Sequence, residues 1–411
     1  MGKKGTGIRD VIIIGAGASG MMAAITAARR GKSVLILEHK NKPGKKILAT
    51  GNGKCNFTNA YMEPECFHGD KELISSVLSR FSQKDCLQFF HEIGIYPKNK
   101  KDYYYPNSEQ ALSVVEALTA ELSRLHVELV TEEKVTSVIP GKYGFTCQTT
   151  AAKYQGKNLI FATGLLASPK LGSDGSAISL VKELGHRFVP ILPALCGFYC
   201  KGMDFKKVAG VRCDATLALL VDGQICGQER GELQLTDYGL SGIPMFQLSS
   251  KAVRSLHAKK KVQIQLDFLP ELDEAALVEE LQMRKERMGE YATAAQLLNG
   301  LLNHKVNAIC LAASGISEEQ KKDTLSSHQL AELVRYLKAF PVALLRVREA
   351  EYAQVCTGGV RTEEIDTETL ESRIWPGLYF VGELLDVDGI CGGYNLQWAW
   401  SSGYVAGSSV E

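Results

Sequence analysis

The sequence lacks an excess of charge of either sign. Its 47 Lys and Arg residues are balanced by 46 Asp and Glu residues, which leaves a net charge of +1. Proteins that bind nucleic acid or anionic lipid over a large surface usually carry a marked basic excess. We therefore expect a small-molecule substrate, and neither nucleic acid nor an anionic membrane as a partner.

Long apolar runs are also missing. No stretch approaches the roughly 20 apolar residues that a membrane-spanning helix needs. Residues 1–5 lead only into a short apolar strand, without the longer apolar segment of a signal peptide. The sequence thus predicts no stable membrane insertion and a cytoplasmic location.

Closely spaced cysteine pairs are absent as well. The 11 cysteines are an odd number and include no Cys-x-x-Cys motif. A disulfide framework needs paired cysteines, and a structural zinc site needs closely spaced ligands. We therefore predict reduced cysteines, most of them in the core, and no metal site.

A strand, a glycine-rich turn and a helix stand near the N-terminus. Residues 10–14 form an apolar run, Gly-x-Gly-x-x-Gly follows, and residues 21–28 have a helical composition. This pattern is typical of the start of a dinucleotide-binding βαβ unit. Gly15 permits the turn, Gly17 lets the backbone approach a pyrophosphate, and Gly20 lets the helix pack on the strand.

An acidic residue and a long loop follow this unit. A second apolar strand, residues 32–37, ends at Glu38. A carboxylate there accepts hydrogen bonds from a ribose 2′-OH and repels a 2′-phosphate, which favours an unphosphorylated adenosine diphosphate moiety. Residues 41–59 then form a polar, glycine-rich connection containing Lys54 and Cys55. Long ordered connections tend to be functional, although a solvated basic loop is the alternative.

Hydrophobic periodicity divides the 411 residues into parts. Helices and strands alternate up to the prolines at 190 and 193, with an aromatic turn predicted at 103–106 and a helix cap at Asn107-Ser108. Beyond the prolines the period changes to two, which indicates antiparallel strands, and then becomes helical again. We predict a nucleotide-binding domain from residues 1–192 and 356–411, an inserted β domain from 193–266 with 341–355, and a helical part at 267–340.

Three separated elements end in glycine. They are the turn at residues 15–20, the strand that ends at Thr163-Gly164, and the strand that ends at Gly382-Glu383. A dehydrogenase that binds only NAD needs one such crevice, whereas FAD is extended and its flavin end is held by residues distant in sequence. FAD is therefore the predicted cofactor.

Longer motifs occur along the whole chain. They are Gly15 to Gly20 with Glu38, Lys45-Lys46, and the segments 51–59, 236–242, 357–360 and 392–397. In these motifs the chain resembles the BaiN-type family of FAD-dependent oxidoreductases over essentially its whole length. One departure from the family is Asn52, where a glycine is usual. The resemblance implies an α/β fold, in which a doubly wound Rossmann-like FAD domain from both chain ends carries an inserted antiparallel, barrel-like β plus helical domain.

The FAD contacts that these motifs imply come from every part of the proposed FAD domain. They are Gly15, Ala16, Gly17, Ala18, Ser19, Gly20, Glu38, His39, Lys45, Lys46, Gly53, Val135, Thr163, Gly164, Gly382, Glu383, Asn395, Leu396 and Gln397. We place Asn395, Leu396 and Gln397 beside the flavin pyrimidine, because a helix N-terminus there would stabilise the negative charge of the reduced ring.

The family includes reductases of bile-acid enones, and this is the activity that we predict. NAD(P)H would reduce FAD, and the reduced flavin would pass hydride to the β-carbon of a C=C bond conjugated to a ketone. The α-carbon then needs a proton, for which the tyrosines at 394 and 103–105 are candidates because their hydroxyls stay protonated at neutral pH. Lys54 and Cys55 are candidates for lining the flavin face.

Two other functions remain open. The family also includes amine oxidases that act on small aminoketones, with O₂ as acceptor and H₂O₂ as product. No second Gly-x-Gly-x-x-Gly follows a strand, so nicotinamide would have to bind transiently, and an oxidase would show the same absence. A flavin-carrying binding protein without turnover is the third alternative, although the insert has the size of a substrate-covering domain. The sequence leaves the oligomeric state open.

Overall fold

The computed structural model describes residues 7–411. The described chain forms two compact units, one from residues up to 192 together with 350–411, and the other from residues 193–349. We call them the Rossmann unit and the barrel unit. The expectation about a signal peptide at residues 1–5 lies outside the described residues.

The strands and helices follow in chain order. The strands are β1 (Arg9–Ile14), β2 (Val34–Leu37), β3 (Thr58–Asn59), β4 (Phe67–His68), β5 (Pro97–Lys100), β6 (Tyr103–Pro106), β7 (Glu128–Val130), β8 (Val135–Gly141), β9 (Gly144–Thr149), β10 (Lys153–Phe161), β11 (Phe188–Ala194), β12 (Phe198–Lys201), β13 (Arg212–Val221), β14 (Gln224–Leu235), β15 (Gly239–Gly242), β16 (Val262–Asp267), β17 (Phe340–Val347), β18 (Val355–Val360), β19 (Leu378–Phe380) and β20 (Asp388–Gly389). The helices are α1 (Ala18–Arg29), α2 (Lys45–Ala49), α3 (Lys71–Arg80), α4 (Gln83–Glu92), α5 (Ala111–Arg124), α6 (Ala177–Glu183), α7 (Phe205–Val208), α8 (Ile243–His257), α9 (Glu274–Arg287), α10 (Ala294–Leu297), α11 (His304–Ala313), α12 (Ser327–Lys338) and α13 (Tyr394–Ser409).

A parallel sheet forms the centre of the Rossmann unit. Its parallel strands run in the order β7-β2-β1-β10-β19. The apolar run of β1 is buried because it lies between β2 and β10, as strands in parallel sheets commonly are. The carboxyl ends of these strands meet at one edge, where ligands of doubly wound sheets bind. The predicted Rossmann-like α/β fold is confirmed.

The C-terminal helix α13 packs directly on α1. A Cβ atom at Gly403 would lie 2.4 Å from the Ser19 carbonyl oxygen, and one at Gly407 would lie 2.5 Å from the Ala23 carbonyl oxygen. Only glycine allows the two backbones to approach this closely. The small residues near the C-terminus therefore join the last helix to the nucleotide-binding turn.

The barrel unit is built on a closed antiparallel sheet. Its strands run in the order β12-β15-β14-β13-β16-β17, and β17 pairs with β12 to close the barrel. Alternate residues of each strand point inward. The interior includes the fully buried Phe198, Leu217, Ile264 and Val342. Helices α9 to α12 follow β16, so the predicted antiparallel β and helical insert is confirmed.

Two local predictions were wrong. Tyr103–Pro106 is strand β6, not a turn, because it pairs with β5 on one side and β3 on the other. Helix α5 begins at Ala111 without a side-chain cap, and Ser108 instead bonds the Ser113 hydroxyl at 2.9 Å. The prolines at 190 and 193 lie inside β11, whose two-stranded sheet with β18 leaves one edge free of ladder hydrogen bonds, and the chain passes from one compact unit to the other between residues 192 and 193.

Three global features of residues 7–411 bear on function. None of their helices combines the length and apolar character needed to cross a bilayer. These residues also contain no group of three or more His, Cys, Asp or Glu side chains placed to hold a metal ion. All the cysteines, from Cys55 to Cys391, are free thiols.

Candidate active site

The glycine-rich turn lies at the carboxyl end of β1, against the end of β10. Gly15 has φ +102°, and a Cβ atom there would lie 2.6 Å from the Ala162 carbonyl oxygen. A Cβ at Gly20 would lie 2.0 Å from the Gly15 carbonyl oxygen. Both positions therefore require glycine for the fold itself.

Gly17 differs from these two glycines. It precedes α1 as the N-cap residue, has φ −81°, and makes no side-chain capping hydrogen bond. A Cβ atom at Gly17 would meet nothing within 4 Å. The space beside Gly17 is thus open at the N-terminus of α1, where the first-turn N–H groups have no intrahelical partner, and this fits a pyrophosphate there.

Glu38 connects the turn to the next strand. The side chain is buried; one carboxylate oxygen accepts from the Ala16 N–H at 2.7 Å and the other accepts from the Lys40 N–H at 2.7 Å. Each carboxylate oxygen has a second lone pair. Glu38 can therefore accept ribose hydroxyls while it holds the turn.

The residues next to Glu38 include a buried polar atom without a hydrogen bond. Within residues 7–411, Nε2 of His39 is buried and makes no hydrogen bond, although it lies 3.9 Å from the Asp174 carboxylate. The other ring nitrogen, Nδ1, is 3.4 Å from the Glu38 carboxylate. The Glu133 N–H donates to the Glu38 carbonyl oxygen, which places the buried Val135 nearby in the chain. An adenosine ligand fits here, because it supplies both ring surface and hydrogen-bonding atoms.

The other two glycine-ended strands meet the same turn. A Cβ at Gly382 would lie 2.7 Å from the Ser19 hydroxyl, and a Cβ at Gly164 would lie 3.8 Å from the Glu383 carboxylate. The hydroxyl of Thr163 donates back to the Gly164 carbonyl oxygen at 3.3 Å. The structure therefore brings together all three elements that the sequence singled out.

Glu383 is fixed at this meeting point. One carboxylate oxygen lies 2.7 Å from Nζ of Lys46, and the other accepts from the Cys356 N–H at 2.6 Å. Lys46 follows Lys45 in α2, and the Gly44 N–H before this helix donates to the Ala16 carbonyl oxygen. No local pattern in the sequence signals the Lys46–Glu383 pair, because its members are 337 residues apart.

The loop after α2 has an unusual backbone. Gly51, Asn52 and Gly53 have φ values of 56°, 53° and 82°, and Cys55 has φ 57°. These values lie in the left-handed region, which asparagine tolerates better than other side chains do. Asn52 therefore keeps the backbone that a glycine would adopt, so the departure from the family motif does not alter the loop.

At the start of α13, two amide side chains are used within the protein. Asn395 accepts from the Gly389 N–H at 2.9 Å and donates to the Gly389 carbonyl oxygen at 2.7 Å. Gln397 is fully buried; its amide oxygen accepts from the Thr58 hydroxyl at 2.6 Å and its nitrogen donates to the Ser401 hydroxyl at 2.9 Å. The N-cap Gly393 makes no side-chain cap, so the free donors are the backbone N–H groups of the first turn, which include that of Leu396.

Tyr394 and Tyr103 converge on the loop before α13. A Cβ atom at Gly392 would lie 2.8 Å from a ring carbon of Tyr103 and 3.2 Å from one of Tyr394. Burial raises the pKa of both phenols, and for Tyr394 the nearby Cys66 raises it further. Both hydroxyls therefore stay protonated at neutral pH. Asn59, which sequence reasoning missed, donates to the Gly392 carbonyl oxygen at 2.9 Å.

Lys54 and Cys55 have different surroundings from those expected. Cys55 is completely buried, and burial raises the pKa of the thiol to about 12, so it is not a thiolate at neutral pH. Nζ of Lys54 lies 2.7 Å from the Glu109 carboxylate, and Nζ of Lys98 lies 3.2 Å from the same group. Lys54 thus belongs to a surface cluster, and Cys55 belongs to the core.

Comparisons with known proteins match nearly the whole chain. The family model described as HI0933-like protein Rossmann domain matches residues 9–409. A 3-dehydro-bile acid delta(4,6)-reductase from Clostridium scindens is 42% identical over 97% of this chain and 98% of its own. A ribosomal RNA dihydrouridine synthase from Haemophilus influenzae is 30% identical over 97% of this chain and 98% of its own. The structure of 3-ketosteroid delta1-dehydrogenase from Sterolibacterium denitrificans matches 98% of this chain and 99% of its own, with 13% identity and a TM-score of 0.51, a likeness of fold alone.

Proposed function

Since the chain belongs to the HI0933-like Rossmann-domain family and is a flavin oxidoreductase, we propose that it reduces a C=C bond conjugated to a carbonyl group. NAD(P)H would serve as the electron donor, and the enzyme would act in the cytoplasm. The observation that carries the proposal is the 42% identity, over both full lengths, with a bile-acid enone reductase. We take a steroid-like enone as the first substrate candidate.

Different residues of the Rossmann unit would bind the cofactor and supply the proton. FAD, when bound, supplies the hydride chemistry. The turn at Gly15 to Gly20 and Glu38 would hold its adenosine diphosphate half, and the first turn of α13, at Asn395 and Leu396, would lie toward the pyrimidine. Reduction of an enone also needs a proton at the α-carbon. Tyr103 and Tyr394 are the candidate donors, because a tyrosine hydroxyl carries its proton at neutral pH and burial raises the pKa of both.

One anaerobic experiment separates the candidate reactions. The purified yellow protein is mixed with NADH or NADPH, and then, in separate samples, with a bile-acid enone or with a small aminoketone. We expect NAD(P)H to bleach the flavin absorbance and the enone to restore it. Bleaching by the amine and not by NAD(P)H would identify an amine oxidase, and bleaching by neither would indicate a binding protein.

Uridine in ribosomal RNA is a second candidate substrate. The relative from Haemophilus influenzae is named a ribosomal RNA dihydrouridine synthase. Uracil also contains a C=C bond conjugated to a carbonyl, so the two relatives differ in substrate more than in chemistry. The exposed lysines of β5 favour this candidate, because phosphodiesters are recognised mainly by positive charge. The test is dihydrouridine formation in ribosomal RNA incubated with the enzyme and NAD(P)H.

A further inference from the structure

A surface of lysines and tyrosines lies on the small sheet beside the active-site loop. Strands β3, β6 and β5 form this three-stranded sheet. Lys98 pairs with Tyr105 across β5 and β6, and Lys100 pairs with Tyr103. Directly opposed residues of antiparallel strands point to the same face. We call the side chains of Lys98, Lys100, Tyr103 and Tyr105 the Lys–Tyr face.

The surroundings of the Lys–Tyr face carry more positive than negative charge. Glu109 pairs with Lys54 and Lys98 at 2.7 and 3.2 Å. Lys100 and Lys101 are exposed, and Asp102, which follows them in the turn, is the other acidic residue of this hairpin. The even charge of the whole chain therefore conceals a local basic surface. The expectation of no nucleic-acid partner rested on the net charge, which does not describe the charge of a local surface.

The face is also aromatic, and it leads to the active site. Lys54, Lys100, Lys101, Tyr103, Tyr105 and Glu109 line a cavity of about 200 Å³. In β3, Asn59 pairs with Tyr103 and donates to the Gly392 carbonyl oxygen. A ligand on the lysines would therefore be next to the ring of Tyr103, which neighbours Gly392 in the loop before α13.

We propose that the Lys–Tyr face, together with Lys101 of the adjacent cavity, binds single-stranded RNA, with phosphates on Lys100 and Lys101 and a base stacked on Tyr103 or Tyr105. The proposal rests on the second substrate named above. The cavity is smaller than the roughly 300 Å³ at which small-molecule sites begin. It therefore suits one nucleotide of a longer RNA strand better than a whole NAD(P)H molecule. Lysines that track a backbone beside aromatic rings that stack bases are the usual single-strand arrangement.

A charge-reversal pair tests the proposal with a matched control. The holoenzyme variants K100E/K101E and K259E/K260E both change the net charge by the same amount, and all four lysines are exposed. Binding of a labelled, uridine-containing RNA of about twelve nucleotides is measured by fluorescence anisotropy at several salt concentrations. We expect K100E/K101E to weaken binding at least tenfold and K259E/K260E to change it less than twofold.

Two further measurements separate the outcomes. The slope of log affinity against log salt should become shallower by about 1.4 in K100E/K101E, since each phosphate contact to a single strand contributes about 0.7. Y105L should weaken binding about fivefold or more while flavin absorbance and melting temperature show a folded holoenzyme.

The proposal is overturned if the two double variants lose RNA affinity equally. It is also overturned if K100E/K101E keeps its RNA affinity and shows a raised KM for NAD(P)H instead. A wild-type enzyme that reduces a small enone but binds no RNA would also overturn it, while leaving the first proposed function intact. Failure of NAD(P)H to bleach the flavin would instead contradict the proposed function itself.

Discussion

Glycines that look alike in sequence have different roles at the scale of single residues. Gly15 and Gly20 are required by the fold, since a Cβ atom at either would meet backbone within 2.6 Å. Gly17 has an ordinary φ of −81° and open space around it. Its smallness is therefore needed by a ligand and not by the protein.

This difference predicts that Gly17→Ala affects cofactor binding alone. The apoprotein should keep its melting temperature within about 2 °C, because a single surface methyl costs little. Bound flavin should fall at least tenfold, because the methyl would occupy the space of the pyrophosphate. Flavin content by absorbance and melting of the apoprotein check both points. Gly20→Ala is the control and should unfold; equal behaviour of the two variants would contradict the prediction.

Asn395 provides a second residue-scale prediction. Its amide accepts from the Gly389 N–H and donates to the Gly389 carbonyl oxygen, so Asn395→Leu removes both hydrogen bonds between α13 and β20. Each loss of this kind costs about 1–3 kcal/mol where it is buried. We expect weaker flavin binding or slower flavin reduction, measured by absorbance titration and stopped-flow mixing. An unchanged spectrum and an unchanged reduction rate would remove Asn395 from the flavin site.

At the scale of elements, a buried network joins β11 to the segment between β18 and β19. His186 lies just before β11; its Nδ1 is 3.1 Å from the Glu364 carboxylate and its Nε2 is 2.9 Å from the Ser372 hydroxyl. The order Ser, His and Glu resembles a hydrolase triad. However, the Ser372 oxygen accepts the N–H groups of Ile374 and Trp375, and all three side chains are buried. The network therefore serves to join elements.

This network predicts a pH dependence of stability. Burial lowers the pKa of His186, against the opposing effect of Glu364, so the folded state holds the ring neutral. The unfolded chain takes up that proton below about pH 6.5, and the free energy of unfolding then falls by up to about 1.4 kcal/mol per pH unit. The free energy of unfolding in urea, measured between about pH 7.5 and 5.5, should change less with pH in His186→Gln than in the wild type. The control His257→Gln replaces an exposed histidine and should keep the wild-type pH dependence. Loss of the pH dependence in the control, and not in His186→Gln, would contradict the assignment to His186.

How much the sequence could predict also differs between elements. The strand, turn and helix from residue 10 to 29 follow a strong local pattern, and all three were predicted from it. Tyr103–Pro106 was not, because a short polar hairpin gains its strand character only from pairing with β3 and β5. The Lys46–Glu383 pair and the contact of Gly382 with Ser19 are likewise tertiary. No local pattern reports them, since they depend on which strand ends meet at the edge of the sheet.

At the scale of the whole molecule, the two units differ in how their cores are assembled. The Rossmann unit needs both chain ends, because α13 packs on α1 through Gly403 and Gly407. The barrel unit is continuous in sequence, and its sheet closes on itself between β12 and β17. A closed barrel leaves no open edge, and residues 193–349 are within the usual size of an independent domain.

We therefore predict that a fragment of residues 193–349 folds alone and binds no flavin. Its circular dichroism should show a cooperative thermal transition, because its buried side chains, such as Phe198 and Ile264, pack within the fragment. A fragment that ends at residue 349 and starts at the N-terminus should contain the same barrel but bind no flavin, because it lacks α13 and Glu383.

Joining residues up to 192 to residues 350–411 through a short Gly-Ser linker is the complementary test. Flavin binding by that protein would locate the whole cofactor site in the Rossmann unit, whereas a fragment of residues 193–349 that melts without cooperativity would contradict the independence of the barrel.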